Sequence, residues 1–470
     1  MNLFGKIRRV RPLLSFSLAI LIVGYLVIPI QASQNKRPNV ILIMADDMGY
    51  GDPGFMGNKI IKTPSLDAMA QNGLVFKRFY SQSPVCRPTR GSCLTGRHPY
   101  RYGIYSANVG HLPTSEISLT QLLKGAGYVT GHFGKWHLGT LTKTEKDSNR
   151  GGRKKGAQHY APPWDRHFDQ CFSTEAKVPT WDPYVSPKNG KYYGTAYWTG
   201  PGKKVNDNVK GDDSRVIMDR AIPFIQKAAK EKKPFFTVIW FHSPHEPVIG
   251  GPTYLKQYAK VANKKAQAYY SCITALDEQV GRLRQELQRL GIAEDTIVFF
   301  CSDNGPEHAT GPGSTGSLSG RKRSLLEGGI RVPGIVEWPA QIKGGRTTIV
   351  PACTSDYLPT IVDIVNLKLP KDRPFDGISL LPLIKGEMKE RPRPIAFESA
   401  NQLALVDNQY SLYSANRGKT WKLFDLSADS GQKKDISGQH PKIVQQMSAY
   451  VTQWRASCTK SREKAGIGKN

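Results

Sequence analysis

Four short runs of β-branched and aromatic residues constrain the fold more than any other feature: Val40–Met44, Tyr128–Phe133, Phe235–Phe241 and Thr296–Cys301. Val40–Met44 and Thr296–Cys301 are apolar almost throughout, Phe235–Phe241 is broken only by Thr237, and Tyr128–Phe133 is the most interrupted, by Thr130, Gly131 and His132. Near-continuous apolar runs suit strands buried on both faces of a mostly parallel sheet covered by helices. Each run also empties into a polar turn. The first leads to Asp46-Asp47, the second to Gly134-Lys135-Trp136-His137, the third to His242 and His245, and the fourth to Asp303-Asn304. Helical patterns lie between them. The clearest sets Tyr269, Ile273, Leu276, Val280, Leu283, Leu287 and Leu290 at three- and four-residue spacing and closes on Gly291, which predicts a core-facing amphipathic helix. Open α/β sheets bind ligands beyond the carboxyl ends of their strands. Four separated segments are therefore expected to converge on one site.

The pattern shifts twice along the chain. Residues 140–215 are rich in Gly, Pro, Lys, Trp and Tyr with little periodicity, as expected of a binding insertion within a core of residues 36–370. From about Arg373 the strand-like pieces Ile395–Glu398, Tyr410–Ser414 and Thr420–Asp425 precede a helix from Pro441 to about Ala456. That order predicts a smaller α+β subdomain over 371–458, an antiparallel sheet plus helix. Residues 459–470 read as a frayed basic tail.

Composition narrows the partners. The chain has 470 residues, 66 Lys+Arg against 38 Asp+Glu and a formal charge of +28, with 10 % aromatics. Plentiful aromatics and a single long apolar run exclude a disordered chain and a polytopic membrane protein. The positive field suits a polyanion: nucleic acid, anionic lipid or sulfated glycan. At the N-terminus, Lys6, Arg8, Arg9 and Arg11 precede the apolar stretch from Leu13 to Ile30, and small Ala32 and Ser33 follow it. This predicts a signal peptide over 1–32 and export to the periplasm or beyond, with membrane attachment only if the segment stays uncleaved. Seven cysteines, an odd number, leave at least one thiol in an exported chain outside any internal disulfide.

Two of the polar turns offer carboxylates. Asp46, Asp47, Asp303 and the amide of Asn304 make an oxygen-only set suited to Ca²⁺ or Mg²⁺ and not to zinc. The segment CRPTRGSCLTGR, residues 86–97, places Cys86 on a turn at the start of a predicted helix, with Pro88 and Arg90 after it. Together with GKWHLG at 134–139, SPHEP at 243–247, SDNG at 302–305 and GRKRSLLEGGIRVP at 320–333, it resembles the type I sulfatase signature. The resemblance runs from about Pro38 to Pro339, with a weaker match around KLFDL at 422–426. Arg87 and Thr89 depart from the residues frequent in the family, but leave its Cys, Pro and Arg intact.

The resemblance implies an alkaline-phosphatase-like α/β fold, a large mixed sheet sandwiched by helices, and hydrolysis of sulfate esters. It implies conversion of Cys86 to formylglycine by a formylglycine-generating or maturase enzyme, and one Ca²⁺ held by Asp46, Asp47, residue 86, Asp303 and Asn304. Arg90 would anchor the aldehyde hydrate that attacks sulfur, and Asp303 would take its proton. Lys135 and Lys322 would bracket the sulfate. His245, whose ordinary pKa lies nearest neutral, would protonate the leaving oxygen, and His137 would collapse the sulfated intermediate. His242 is a competing substrate contact, and Glu307 and His308 are candidates for the rim. The aromatic, basic insertion suggests a sulfated carbohydrate. The Arg321-Lys322-Arg323 patch sits in no recognisable nucleic-acid module. A phosphoester or phosphonate hydrolase of the same superfamily, and an inactive polyanion-binding relic, are the alternatives.

Overall fold

The computed structural model describes residues 37–307 and 311–467, together with Met1 and Gly5. The expected signal peptide lies outside them except at those two positions, and His308 is outside them as well. Among the described residues no helix is long and apolar enough to cross a membrane.

Strands β1 (Asn39–Ala45), β2 (Leu74–Tyr80), β3 (Val129–Lys135), β4 (Gln170–Thr174), β5 (Tyr197–Gly200) and β6 (Lys203–Val205) are followed by β7 (Phe235–Trp240), β8 (Thr296–Ser302), β9 (Arg331–Glu337), β10 (Arg346–Thr348) and β11 (Ala352–Cys353). They form one mixed sheet in the order β10-β2-β9-β8-β1-β7-β3-β4-β5-β6, with β11 also on β2. At its centre β8, β1, β7, β3 and β4 run parallel, while β9 is antiparallel to both β8 and β2.

The strict two-residue period of a strand explains the continuous apolar runs. In β1, Val40, Leu42 and Met44 enter the hydrophobic layer on one face, and Ile41, Ile43 and Ala45 enter the layer on the other. In β8, Ile297, Phe299 and Cys301 join the first layer, Val298 and Phe300 the second. A fully buried side chain of this size contributes roughly 1.5–3 kcal/mol, so apolar residues dominate at both parities. Buried polar exceptions such as His132 in β3 and Thr237 in β7 have hydrogen-bond partners, in Ser173 and the Gly131 carbonyl respectively. The predicted amphipathic helix spans Lys264–Arg289, with its N-terminus capped by Asn263, and buries Ile273, Leu276, Val280 and Leu283 in the second layer.

Part of the expected insertion is sheet. Strand β4 extends the parallel array, pairing Lys135 with Thr174, and β5 and β6 complete that edge. Trp198 and Tyr197 are wholly buried, and Trp164 and Tyr184 pack against the core. The Tyr197 and Trp198 rings are thus spent on folding, and Trp164 and Tyr184 are partly so.

The C-terminal antiparallel sheet contains β12 (Ile395–Ser399), β13 (Gln402–Val406), β14 (Tyr410–Ser414) and β15 (Lys422–Asp425) in that order. It is not independent of the rest. Ile395, Phe397, Ala404 and Val406 share a cluster with Tyr80, Leu325, Ile330 and Cys353. The last helix runs Pro441–Lys464, eight residues beyond the predicted end, so the basic stretch after Cys458 is not frayed up to Lys464. Its polar groups have partners: Arg462 donates to the Tyr100 carbonyl at 2.9 Å, and Ser457 accepts from Arg101 at 2.9 Å.

Candidate active site

The strand ends of β8, β1, β7 and β3 lie side by side, with Ala45 opposite Ser302 and with Trp240 opposite both Met44 and Gly134. The four polar turns therefore meet. The fifth contributor is the Cys86–Thr95 helix, every residue of which is buried, with Cys86 at its first position. Cys86 is 2 % exposed. Its thiol sulfur and one carboxylate oxygen each from Asp46 and Asp303 lie within 4.8 Å of one another.

The charges in this pocket are paired and buried. Lys135 donates to Asp46 Oδ2. Arg90 Nη2 donates to Asp303 Oδ2 at 2.8 Å, and its Nη1 to the Lys135 carbonyl at 3.1 Å. Lys322 Nζ donates to both oxygens of Asp47, at 2.6 and 2.7 Å. Burial works to raise the Asp46 carboxyl, but Lys135, His245, Arg90 and Lys322 outweigh it and hold it well below the usual range. Burial, with the Asp46 charge beside it and Arg90 opposing, pushes Asp303 up to about 7. Burial would lower Lys322, yet Asp47 and the group at residue 86 drive it upward.

The donor set fits a hard cation. Asn304 Nδ2 is committed to Asp47 Oδ1 at 2.6 Å and to the Gly305 carbonyl, so the amide oxygen is left over. That oxygen and Asp46 Oδ1 are buried without a hydrogen-bond partner. Buried acceptors are rarely left so. A divalent cation bound by oxygen ligands satisfies both.

Cys86 is poorly suited to act as it stands. Burial pushes its thiol pKa up against the pull of Lys135 and Lys322, and the thiol rather than the thiolate predominates at neutral pH. His137 sits in a left-handed backbone conformation (φ 55°) with both ring nitrogens buried and unpartnered. Burial, reinforced by Lys135 and Arg90, holds it well below its ordinary value, so it is a neutral imidazole able to accept a proton. Asp47 is likewise left-handed (φ 68°). Such conformations cost of order 1–3 kcal/mol each and persist where the surroundings enforce them.

His245 corrects one premise. Burial pushes it down to about 4, although Asp46 and Asp47 oppose the shift, so its ordinary pKa is no guide here. Nδ1 lies 2.7 Å from the Glu246 carbonyl, which can only accept, and therefore carries the proton; Nε2 lies 3.7 Å from Asp47 Oδ2.

His242 is a second correction. It does not face the pocket as a substrate contact: Nδ1 pairs with Asp213 Oδ2 at 2.8 Å, Nε2 lies 2.7 Å from Thr174 Oγ1, and the ring is wholly buried. It ties the turn after β7 to the end of β4. Asp213 gave no sign of this in the sequence, because an acidic residue opening a helix reads as a cap, the role its neighbour Asp212 fills. Trp240 was also missed; its ring lies 5.2 Å beneath the Arg90 guanidinium. Glu307 reaches the rim beside Arg323, at 2.6 Å.

The comparisons agree with this geometry. A sulfatase family model matches residues 38–367, and one for the C-terminal region of N-sulphoglucosamine sulphohydrolase matches 320–457. N-acetylgalactosamine-6-sulfatase of Mus musculus is 32 % identical over 427 residues, covering 87 % of this chain and 78 % of that protein. Steryl-sulfatase of Mus musculus is 29 % identical, covering 83 % and 71 %. A crystal structure described as Ps i-CgsB in complex with k-i-k-neocarrahexaose superposes with a TM-score of 0.79 at 28 % identity, covering 90 % of this chain and 93 % of that one. With the cage, the lysines and residue 86 gathered at adjacent strand ends, the chain belongs to the sulfatase family, sulfuric ester hydrolases of alkaline-phosphatase-like fold.

Proposed function

We propose that this chain removes sulfate from a sulfated carbohydrate after conversion of Cys86 to formylglycine, with one Ca²⁺ in the acidic cage. The observation that carries the reading is the convergence of residue 86, Lys135, Lys322 and two unpartnered acceptor oxygens in one buried pocket. As formylglycine, residue 86 supplies a hydrated aldehyde whose hydroxyl is the nucleophile toward sulfur. Ca²⁺ held by Asp46, Asp47, Asp303, Asn304 and residue 86 supplies Lewis-acid charge.

The remaining work falls to the chain. Lys135 and Lys322, the two ammonium groups whose charge reaches residue 86, bracket the sulfonate oxygens in a site from which water is excluded, where fixed charge acts strongly. Arg90 fixes Asp303 toward residue 86. Asp303 accepts the proton of the attacking hydroxyl, and neutral His137 accepts the second. His245 receives a proton at Nε2 when the sulfate brings its negative charge, and passes it to the leaving oxygen while the Glu246 carbonyl keeps Nδ1 protonated.

The carbohydrate class draws on two relatives, one named for an acetylgalactosamine sulfate and one bound to a neocarrahexaose, and on the net charge of +28. Export through the N-terminal segment and maturation by a formylglycine-generating or maturase enzyme complete the reading.

Protein co-produced with such an enzyme tests it. Cleavage of aryl sulfate well above aryl phosphate, with sulfate released from defined sulfated oligosaccharides, is expected. The tryptic peptide containing residue 86 is expected to have exchanged one sulfur and two hydrogens for one oxygen. A preference for aryl phosphate overturns the reading, and unconverted, inactive Cys86 favours a polyanion-binding relic.

A further inference from the structure

A cavity of about 670 Å³ opens beside the active site, within the size range of small-molecule sites. It lies between the 177–193 segment, the turn after His245 and the Lys264–Arg289 helix. It adjoins the catalytic groups at two points. Glu246, whose carbonyl holds His245 Nδ1, is in its wall. So is Tyr269, whose hydroxyl lies 3.3 Å from the Asp47 carbonyl oxygen.

Its lining is basic. Lys177, Lys188 and Lys265 line it, and Glu246 is the single carboxylate among the lining residues. Among the described residues none of the three ammonium groups has a hydrogen-bond or ion-pair partner. The lysines elsewhere at the site are spent, Lys135 on Asp46 and Lys322 on Asp47. Two tyrosines complete the wall. Tyr192 is 54 % exposed, an unusual degree for a large ring on this surface. It is held edge-on by Tyr184 at 5.7 Å, whose hydroxyl is itself fixed to the Val205 carbonyl. Beside it, Tyr193 also lines the cavity.

We propose that this cavity reads a second anionic group. It takes the sugar adjoining the one being desulfated and binds a further sulfate or carboxylate through Lys177, Lys188 and Lys265, with Tyr192 and Tyr193 against the sugar faces. Three positive charges against one negative give net attraction for an anion, and tyrosine offers rigid, amphipathic area to a pyranose ring. The inference rests on the carbohydrate reading above and deepens it, since the enzyme then prefers multiply charged glycans.

The test compares wild type with the K177A/K188A/K265A variant on four substrates: an aryl sulfate, and three tetrasaccharides of one backbone. The first tetrasaccharide carries a single sulfate, the second carries sulfates on adjacent sugars, and the third carries a uronate beside the sulfated sugar. On the aryl sulfate the variant is expected to keep kcat/KM within about twofold, because none of the three lysines touches the catalytic groups. On the doubly charged tetrasaccharides it is expected to lose about tenfold or more, and on the singly charged one much less. Which doubly charged substrate suffers more identifies the second anion as sulfate or carboxylate. The wild-type preference is expected to weaken with added salt. Equal losses on singly and doubly charged glycans, or no loss on either, overturn the proposal. If wild type cleaves no sulfate ester, the parent reading fails, and calorimetric binding of the same tetrasaccharides decides this one: equal affinity in both proteins overturns it.

Discussion

Arg90 and Asp303 meet at 2.8 Å, Nη2 to Oδ2, and neither side chain exposes any surface. The pair joins the helix that carries residue 86 to the end of β8, and Arg90 also reaches the Lys135 carbonyl at the end of β3. One side chain thus holds three catalytic segments in register.

Replacing Arg90 by Ala leaves Asp303 buried beside Asp46 without its partner. Breaking a buried pair on one side costs about 3–5 kcal/mol, so the R90A variant is expected to lose about that much unfolding free energy in urea titration, read as a lower midpoint, and to lose activity. The R90K variant recovers part of the stability but not the two-pronged contact to Asp303 and the Lys135 carbonyl. An R90A protein as stable as wild type would contradict the pairing.

Removal of the proposed Ca²⁺ is expected to have both a catalytic and a thermal signature. Chelation is expected to abolish sulfate release and Ca²⁺ to restore it. At about one hundred times its dissociation constant, a ligand that binds only the native state adds about 2.7 kcal/mol, visible as a rise in Tm. The D46N and D47N variants are expected to lose that Ca²⁺-dependent rise, measured by differential scanning fluorimetry.

In the proposed reaction the proton from His245 matters in proportion to how poorly the alcohol leaves. The H245A variant is expected to lose about 10²–10⁴-fold on a glycan sulfate, whose leaving alcohol needs the proton. On a nitrophenyl sulfate the loss is expected to be much smaller. Equal losses on both substrates would assign His245 to binding instead.

His98 supplies a stability prediction away from the site. It is wholly buried, and burial pushes it down to about 3 despite the opposing Asp376 charge. Above about pH 6.5 the ring is neutral in both states and contributes no pH dependence. As pH falls below that value the unfolded chain takes up a proton that the native state refuses, so stability drops until the native pKa is reached. Between pH 7 and pH 5 the H98N variant is therefore expected to gain about 2 kcal/mol relative to wild type. Chemical denaturation at the two pH values measures it, and parallel curves would refute it.

Local sequence carried the strands and their polar ends because each core strand is buried on both faces and each turn follows it directly. Val40–Met44 and Thr296–Cys301 were therefore visible, as were Asp46, Asp47, Asp303 and Asn304. Long-range pairing was hidden. Nothing local to β4 announces that Thr174 meets Lys135, and so the insertion reads as irregular from sequence alone. His242 looked like a ligand because its partners, Asp213 and Thr174, are remote in sequence. His245 was assigned its role from an isolated-imidazole pKa, which burial has displaced. The residue type was informative in each case, and its environment was not.

All seven cysteines are free, and none exposes more than 3 % of its surface. Setting residue 86 aside, Cys93, Cys171, Cys301, Cys353 and Cys458 pack within the hydrophobic clusters, and Cys272 donates to the Tyr269 carbonyl within its own helix. The native state consequently has no covalent cross-link for a reductant to cut and no accessible thiol to mispair. Its thermal transition is expected to be the same with and without reducing agent, since no part of its stability comes from a cross-link.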